Sequence, residues 1–152
     1  MCYQKNVKIP RIVVDTNVLV GAFLSMAGGD NREVIRRCLK REAQPLLGVT
    51  LFSEYEDALG RDNLMKKCPL TLRDRLVLLE AFLSVCEWVK VYYLWRPNLP
   101  DEGDNHLIEL AVAGAADAII TNNTRDLKGG NLQFPQTRIL TPKQFSQTAY
   151  SL

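Results

Sequence analysis

The tightest constraint on the fold is a stretch near the N-terminus, Arg11 to Val20, where the β-branched run Ile12-Val13-Val14 stops at Asp15, Thr16 and Asn17 before a second apolar run begins. Consecutive β-branched residues without polar alternation suit a strand covered on both faces, as in parallel sheets packed between helices. The chain here reads strand, acid, helix. Open α/β sheets bind ligands in the crevice outside the carboxyl ends of their strands, and Asp15 stands at that edge. Helix capping alone would also put an Asp or Thr there, since both fill the N-cap well. Acids recur at comparable junctions further along, which favours a site over a cap.

The second strand is expected at Pro45–Val49, with Thr50 capping a helix over Leu51–Leu59 whose buried stripe is Leu51, Tyr55, Ala58 and Leu59. Glu54 then lies within about a turn of the strand's carboxyl edge. Between these elements an apolar helix ends near Gly28-Gly29. Asp30 or Asn31 caps the next helix, whose outer face carries Arg32, Arg36, Arg37, Lys40 and Arg41. Such a row could meet phosphates, although a basic helix face is more often simply solvated. Thr71 caps a long amphipathic helix with the stripe Leu72, Leu76, Leu79 and Leu83, and Trp88 to Tyr93 alternates as a third strand.

Asp101, Glu102 and Asp104 open a helix over Asn105–Ala113. Asp101 and Asp104 have capping-box spacing, yet this many acids exceed what one cap requires, and a cation would relieve their repulsion. His106, in the first turn, reads as structural or as a peripheral substrate contact. A fourth strand, Asp117–Thr121, runs into the polar turn Asn122 to Leu127, which carries Asp126. Arg138–Pro142 is a fifth strand, with Thr141 and Pro142 starting a C-terminal helix as N-cap and N1. Strands alternating with helices imply an α/β sandwich with a mostly parallel sheet, and 152 residues suit a single domain, 1–152, with residues 1–10 as a loose lead-in.

Composition narrows the chemistry. The single histidine, His106, argues against multi-histidine metal sites and hydrolytic triads. Cys2, Cys38, Cys68 and Cys86 are too scattered for a zinc site or a disulfide framework; Cys38 and Cys86 fall among apolar helical residues and read as packed thiols. The N-terminus lacks an apolar signal region, and no stretch is apolar for long enough to span a bilayer, so a cytoplasmic protein without membrane association is expected. With a net charge of only +2, a nucleic-acid partner would be held by local basic patches.

A parallel sheet gathers the carboxyl ends of its strands along one edge, so acids far apart in sequence can converge. A site built from carboxylates, without histidine or cysteine, selects hard cations such as Mg²⁺ or Mn²⁺. Such sites characteristically act on phosphate esters, with the metal stabilising an in-line displacement.

Four segments, taken in order, resemble the acidic motifs of the PIN domain: Ile12 to Leu19 around Asp15, Ser53-Glu54-Tyr55, Asp104 to Ala111, and Ile119 to Leu127. Within that family the chain is most similar to the VapC group of bacterial and archaeal toxins, whose Thr-Pro-x-x-Phe segment matches Thr141 to Phe145. Each motif is weak alone; their order makes the set specific. The resemblance implies a PIN-like three-layer sandwich, with a five-stranded, mostly parallel sheet flanked by helices, and a Mg²⁺- or Mn²⁺-dependent endoribonuclease. Carried over by position, Asp15, Glu54, Asp104 and Asp126 would be the catalytic, metal-binding carboxylates. Thr16 and Asn17 would support Asp15, Thr121 and Asn123 would line the site, and Arg32, Arg36 or Arg125 would hold RNA phosphates. A homodimer and a small inhibitory antitoxin are implied partners.

Two departures qualify the match. Asn123 stands where many members of this group carry Asp, which leaves open whether one metal or two binds, and Asp101 and Glu102 compete with Asp104 for the third acidic role. Competing readings are a DNA- or structure-specific nuclease with the same acids, and an inactive PIN-like module that docks on RNA or protein. A phosphoacceptor receiver domain would need clustered N-terminal acids and a separate acceptor aspartate, a pattern not found here.

Overall fold

The computed structural model describes residues 8–24, 29–61, 66–91, 105–127 and 136–148, with Asn105 and Asp126 described in their backbone alone. The elements are β1 (Arg11–Val14), α1 (Thr16–Leu24), α2 (Asp30–Leu39), β2 (Gln44–Leu47), α3 (Val49–Gly60), α4 (Leu72–Val85), β3 (Glu87–Trp88), α5 (Asn105–Ala113), β4 (Ala118–Ile120), a 3-10 turn (Thr124–Leu127), β5 (Arg138–Leu140) and α6 (Pro142–Gln147). The strands form one five-stranded sheet in the order β3-β2-β1-β4-β5, and all its pairings are parallel. This is the α/β sandwich expected from the alternation of elements.

From β1 the chain steps outward through β2 to β3, then returns to the other side of β1 for β4 and β5. Right-handed crossovers therefore carry α1 to α4 over one face and α5 over the other. The reversal falls between β1 and β4, where doubly wound sheets open a crevice. Both neighbours are fully buried there: Ile12, Val13 and Val14 pair with Ala118, Ile119 and Ile120, and none of the six is exposed to solvent. α5 packs on β1, β2 and β4, while α2 packs on α1, α4 and α6.

Several local expectations shift by a residue or more. β2 ends at Leu47, and Gly48 takes the cap of α3 with extended backbone, so Thr50 lies inside the helix. The carbonyl of Gly48 already accepts from Phe52 N–H over 2.9 Å, so the first turn starts early. Neither Asp30 nor Asn31 caps α2: Gly29 does so at φ 96°, a left-handed conformation that glycine adopts without steric cost. Thr71 caps α4 as expected, and α6 has a full capping box between Thr141 and Gln144 with Pro142 in its first turn. β3 is only Glu87–Trp88, although Val89 N–H still reaches Leu47 C=O over 2.8 Å; Tyr92 and Tyr93 lie outside the described residues.

The largest difference is the face that α4 buries. Leu72 and Leu76 are each 46% exposed, and the inward stripe is Arg75, Leu79 and Phe82, with Leu83 half-buried beside it. A buried arginine is tolerable because carbonyls accept its protons: Nε donates to Leu59 C=O over 3.2 Å and Nη1 to Leu70 C=O over 3.3 Å. Leu59 sits in the last turn of α3, so Arg75 satisfies a helix-end carbonyl that the helix itself leaves open. Cys38 is buried within the core and Cys86 packs against it; burial pushes the Cys38 thiol far up and that of Cys86 to about 12. Among the described residues, no helix is long and apolar enough to cross a membrane.

Candidate active site

Asp15 follows β1 directly, and its backbone N–H donates to Ile120 C=O over 2.9 Å, extending the β1–β4 pairing one step past the end of the strand. Its carboxylate is held from two sides. Thr121 Oγ1 donates to Oδ2 over 2.7 Å, and Asn17 Nδ2 donates to the same oxygen over 3.1 Å. Thr121 is fully buried and spends its single proton on Asp15, so its lone pair is open to the Asn123 N–H, which approaches to 3.0 Å. Asn17 is itself braced. Its Oδ1 accepts from both the backbone N–H and the side-chain amide of Asn122, each over 3.2 Å, and Asn122 Nδ2 also reaches Asn31 Oδ1 over 3.1 Å. Three amide side chains thus link α2 to the first acid.

Glu54 comes from α3 and meets Asp15 through the neighbours of both residues. Tyr55, wholly buried, donates its hydroxyl to Val14 C=O, the residue before Asp15, and packs edge-on against Phe82 with ring centroids 5.9 Å apart. This ties α3 to the end of β1 and brings Glu54 beside the start of α1. There Thr16 Oγ1 donates to Glu54 Oε1 over 3.0 Å, so Thr16 directs its hydroxyl to the second acid and not the first. His106 Nε2 lies 3.0 Å from Glu54 Oε2.

Burial raises the pKa of Asp15 above its ordinary value; the bonds from Thr121 and from the Thr16 backbone pull it back, and the neighbouring Glu54 charge raises it further. A carboxylate held against its own desolvation beside a second carboxylate is a place that a cation would stabilise. Both acids offer oxygen, with hydroxyl and amide oxygens around them, which suits Mg²⁺ or Mn²⁺ better than Zn²⁺. Among the described residues, no group of three or more His, Cys, Asp or Glu side chains is assembled for a metal. Asp101, Glu102 and Asp104 lie outside the described residues, and Asp126 is placed only by its backbone, in the 3-10 turn after β4.

The basic candidates separate. Arg36 forms a two-pronged pair with Glu33, at 2.8 and 2.6 Å, and Arg37 turns inward to the carbonyls of Phe145 and Ser146 at 3.4 and 3.0 Å. Arg125 is exposed in the turn that carries Asp126. Asn122, Asn31 and the close approach of His106 to Glu54 were not assigned from the sequence. The signal for His106 is its place in the first turn of α5, three and four residues before Glu109 and Leu110, both buried, whose face of the helix it shares.

The family model of the PIN domain matches residues 11–125. The chain belongs to the PIN domain family. The PIN match opens at β1 and takes in Asp15, Glu54 and Asp104, and it stops one residue short of Asp126. A similar fold is seen in a chain of the crystal structure of VapBC2 from Rickettsia felis bound to a DNA fragment from their promoter. That chain is similar with a TM-score of 0.55 and 16% identity, covering 86% of this chain and 98% of that one. At that identity the likeness speaks for the fold. Comparison with curated proteins finds no sequence match.

Proposed function

We propose that this PIN-domain chain is a Mg²⁺- or Mn²⁺-dependent endoribonuclease that serves as the toxin of a toxin–antitoxin pair. The observation that carries the reading is the pairing of Asp15 and Glu54 at the point where the strand order reverses, each held by a threonine hydroxyl. The similarity to a chain of a VapBC2 complex supports an antitoxin partner.

In this proposal Asp15, Glu54, Asp104 and Asp126 hold the metal. Bound there, the metal would supply Lewis acidity toward the phosphodiester and its attacking water. The chain's own residues orient the site. Thr121 and Asn17 fix Asp15 so that its charge is pre-organised, and Asn123 lines the crevice through the Thr121 hydroxyl. Exposed Arg125 steadies a phosphate, with Arg32 as a second contact at the rim, and Arg36 serves there only if Glu33 releases it. The active unit is a cytoplasmic homodimer that acts on RNA and is restrained by a small antitoxin.

The test is cleavage of a mixed single-stranded and structured RNA pool, with DNA controls, in Mn²⁺, Mg²⁺ or EDTA, by wild type and Asp15→Asn. Metal-dependent RNA cutting lost in the variant is the expected result. Preferential DNA cutting would make the chain a DNA nuclease. No cutting by folded, antitoxin-free protein would leave a binding module.

A further inference from the structure

We infer that His106 is a positioning residue that, together with Thr16, clamps the carboxylate of Glu54 in the orientation that a divalent cation requires; this rests on the metal-dependent reading of the site. Glu54 is 42% exposed at its side chain, and a glutamate so placed on a helix surface ordinarily samples several rotamers. Here each oxygen has its own polar neighbour from a different element, a hydroxyl that donates to Oε1 and an imidazole nitrogen close against Oε2. Thr16 Oγ1, in the first turn of α1, reaches Oε1 over 3.0 Å, and His106 Nε2, in the first turn of α5, reaches Oε2 over 3.0 Å. Neither neighbour lies on α3, so the carboxylate is bracketed by α1 and α5 and not merely placed by its own helix.

The imidazole is suited to this role. Its side chain is only 12% exposed, against 42% for the carboxylate it holds. Leu107 and Ile108, at 0% and 2% exposure, anchor the first turn of α5 in the core. Nδ1 is buried and has no hydrogen-bond partner among the described residues, so packing orients the ring and the contact with Glu54 is its polar attachment there. An outer-shell donor that steers a carboxylate typically changes metal affinity about 10- to 100-fold when it is lost. The oxygen lone pairs of Glu54 not engaged by the clamp would be available, with those of Asp15, to hold the ion.

The experiment measures Mn²⁺ binding by titration calorimetry, and RNA cleavage as a function of Mn²⁺, for wild type, His106→Ala, His106→Gln and Thr16→Val, with circular dichroism and melting as folding controls. His106→Ala is expected to weaken Mn²⁺ binding about 10-fold and to recover cleavage at raised Mn²⁺, with Thr16→Val moving in the same direction. His106→Gln, which keeps an N–H at similar reach, is expected to bind within about 3-fold of wild type on the same scale. Unchanged Mn²⁺ affinity in folded His106→Ala overturns the clamp while wild-type metal dependence stands. Should His106→Ala not fold, unchanged affinity in the isosteric Thr16→Val overturns it. Failure of His106→Gln to restore binding also overturns it, and points to the ring as a ligand or proton carrier. If wild type binds no Mn²⁺ and cuts nothing, the metal-dependent reading itself fails and takes the clamp with it.

Discussion

Thr121 Oγ1 lies 2.7 Å from Asp15 Oδ2, joining the first residues beyond β4 and β1. The register decides this: Val14 pairs with Ile120, so Asp15 and Thr121 stand side by side on the next step of the pleat and point to the same side. A hydroxyl and a carboxylate more than a hundred residues apart are thereby fixed side by side at the carboxyl ends of β1 and β4.

Thr121→Val keeps the shape and removes the hydroxyl. Asp15 Oδ2 would retain Asn17, and the Asn123 N–H would lose its acceptor. The lost bond to the charged carboxylate is worth about 1.5–3 kcal/mol and the neutral one about 0.5–1.5 kcal/mol. For a chain of this size that corresponds to a melting temperature lower by about 2–4 °C per kcal/mol, with Thr121→Ser much closer to wild type. A Thr121→Val protein that melts with wild type would show that the bond contributes nothing net.

Asp15→Asn should have a pH-dependent effect on stability in EDTA. The folded pKa is raised from 3.8, chiefly by burial. Below 3.8 the carboxyl is protonated both folded and unfolded, and burial carries no charge penalty. As pH rises through the folded pKa, the native state comes to hold a desolvated charge and loses stability. The variant should therefore unfold at higher urea than wild type at pH 7, with the gap closing toward acid pH. Adding Mn²⁺ should raise the wild-type midpoint and leave the variant where it was.

Glu33 behaves in the opposite sense. Arg36 first, and Arg37 after it, hold its pKa down at about 2 against an ordinary 4.5. Its contribution is present above 4.5 and is lost as pH falls from there toward 2. The side chain is 29% exposed, so screening limits the effect to about 1 kcal/mol or less. Urea midpoints of wild type and Glu33→Gln should differ at pH 6 and converge by pH 2. Arg37→Ala should cost more, because Arg37 also holds the Ser146 carbonyl and sits 5.4 Å over the Phe145 ring, docking α6.

Gly21→Ala probes the amide chain behind Asp15. A Cβ there would fall 2.9 Å from Asn31 Cγ, so Asn31 must swing away and release Asn122. Alanine gains about 0.5–1 kcal/mol inside a helix. Loss of one hydrogen bond costs about 0.5–1.5 kcal/mol, so the two nearly cancel. In an Asn31→Ala background the bond is already gone and Gly21→Ala should be plainly stabilising. Equal effects in both backgrounds would show that the two positions are uncoupled.

The sequence by itself determined the layers and the place of Asp15 at the end of the first strand. Ile12-Val13-Val14 before Asp15, and Ala118-Ile119-Ile120 before Thr121, are apolar runs that suit the middle of a parallel sheet, and both hold that place. The stripe Leu51, Tyr55, Ala58 and Leu59 likewise required the face that α3 buries and put Glu54 beside it. Partnership was decided only in three dimensions. That Thr16 serves Glu54, that His106 meets the other oxygen of the same carboxylate, and that Asn31 and Asn122 stand behind Asn17 depend on strand order and helix crossing, which local spacing does not encode. The same holds for α4. Leucines at helical spacing mark a possible face, but α4 turned Arg75, Leu79 and Phe82 inward because the carbonyls of Leu59 and Leu70 were there to receive the guanidinium.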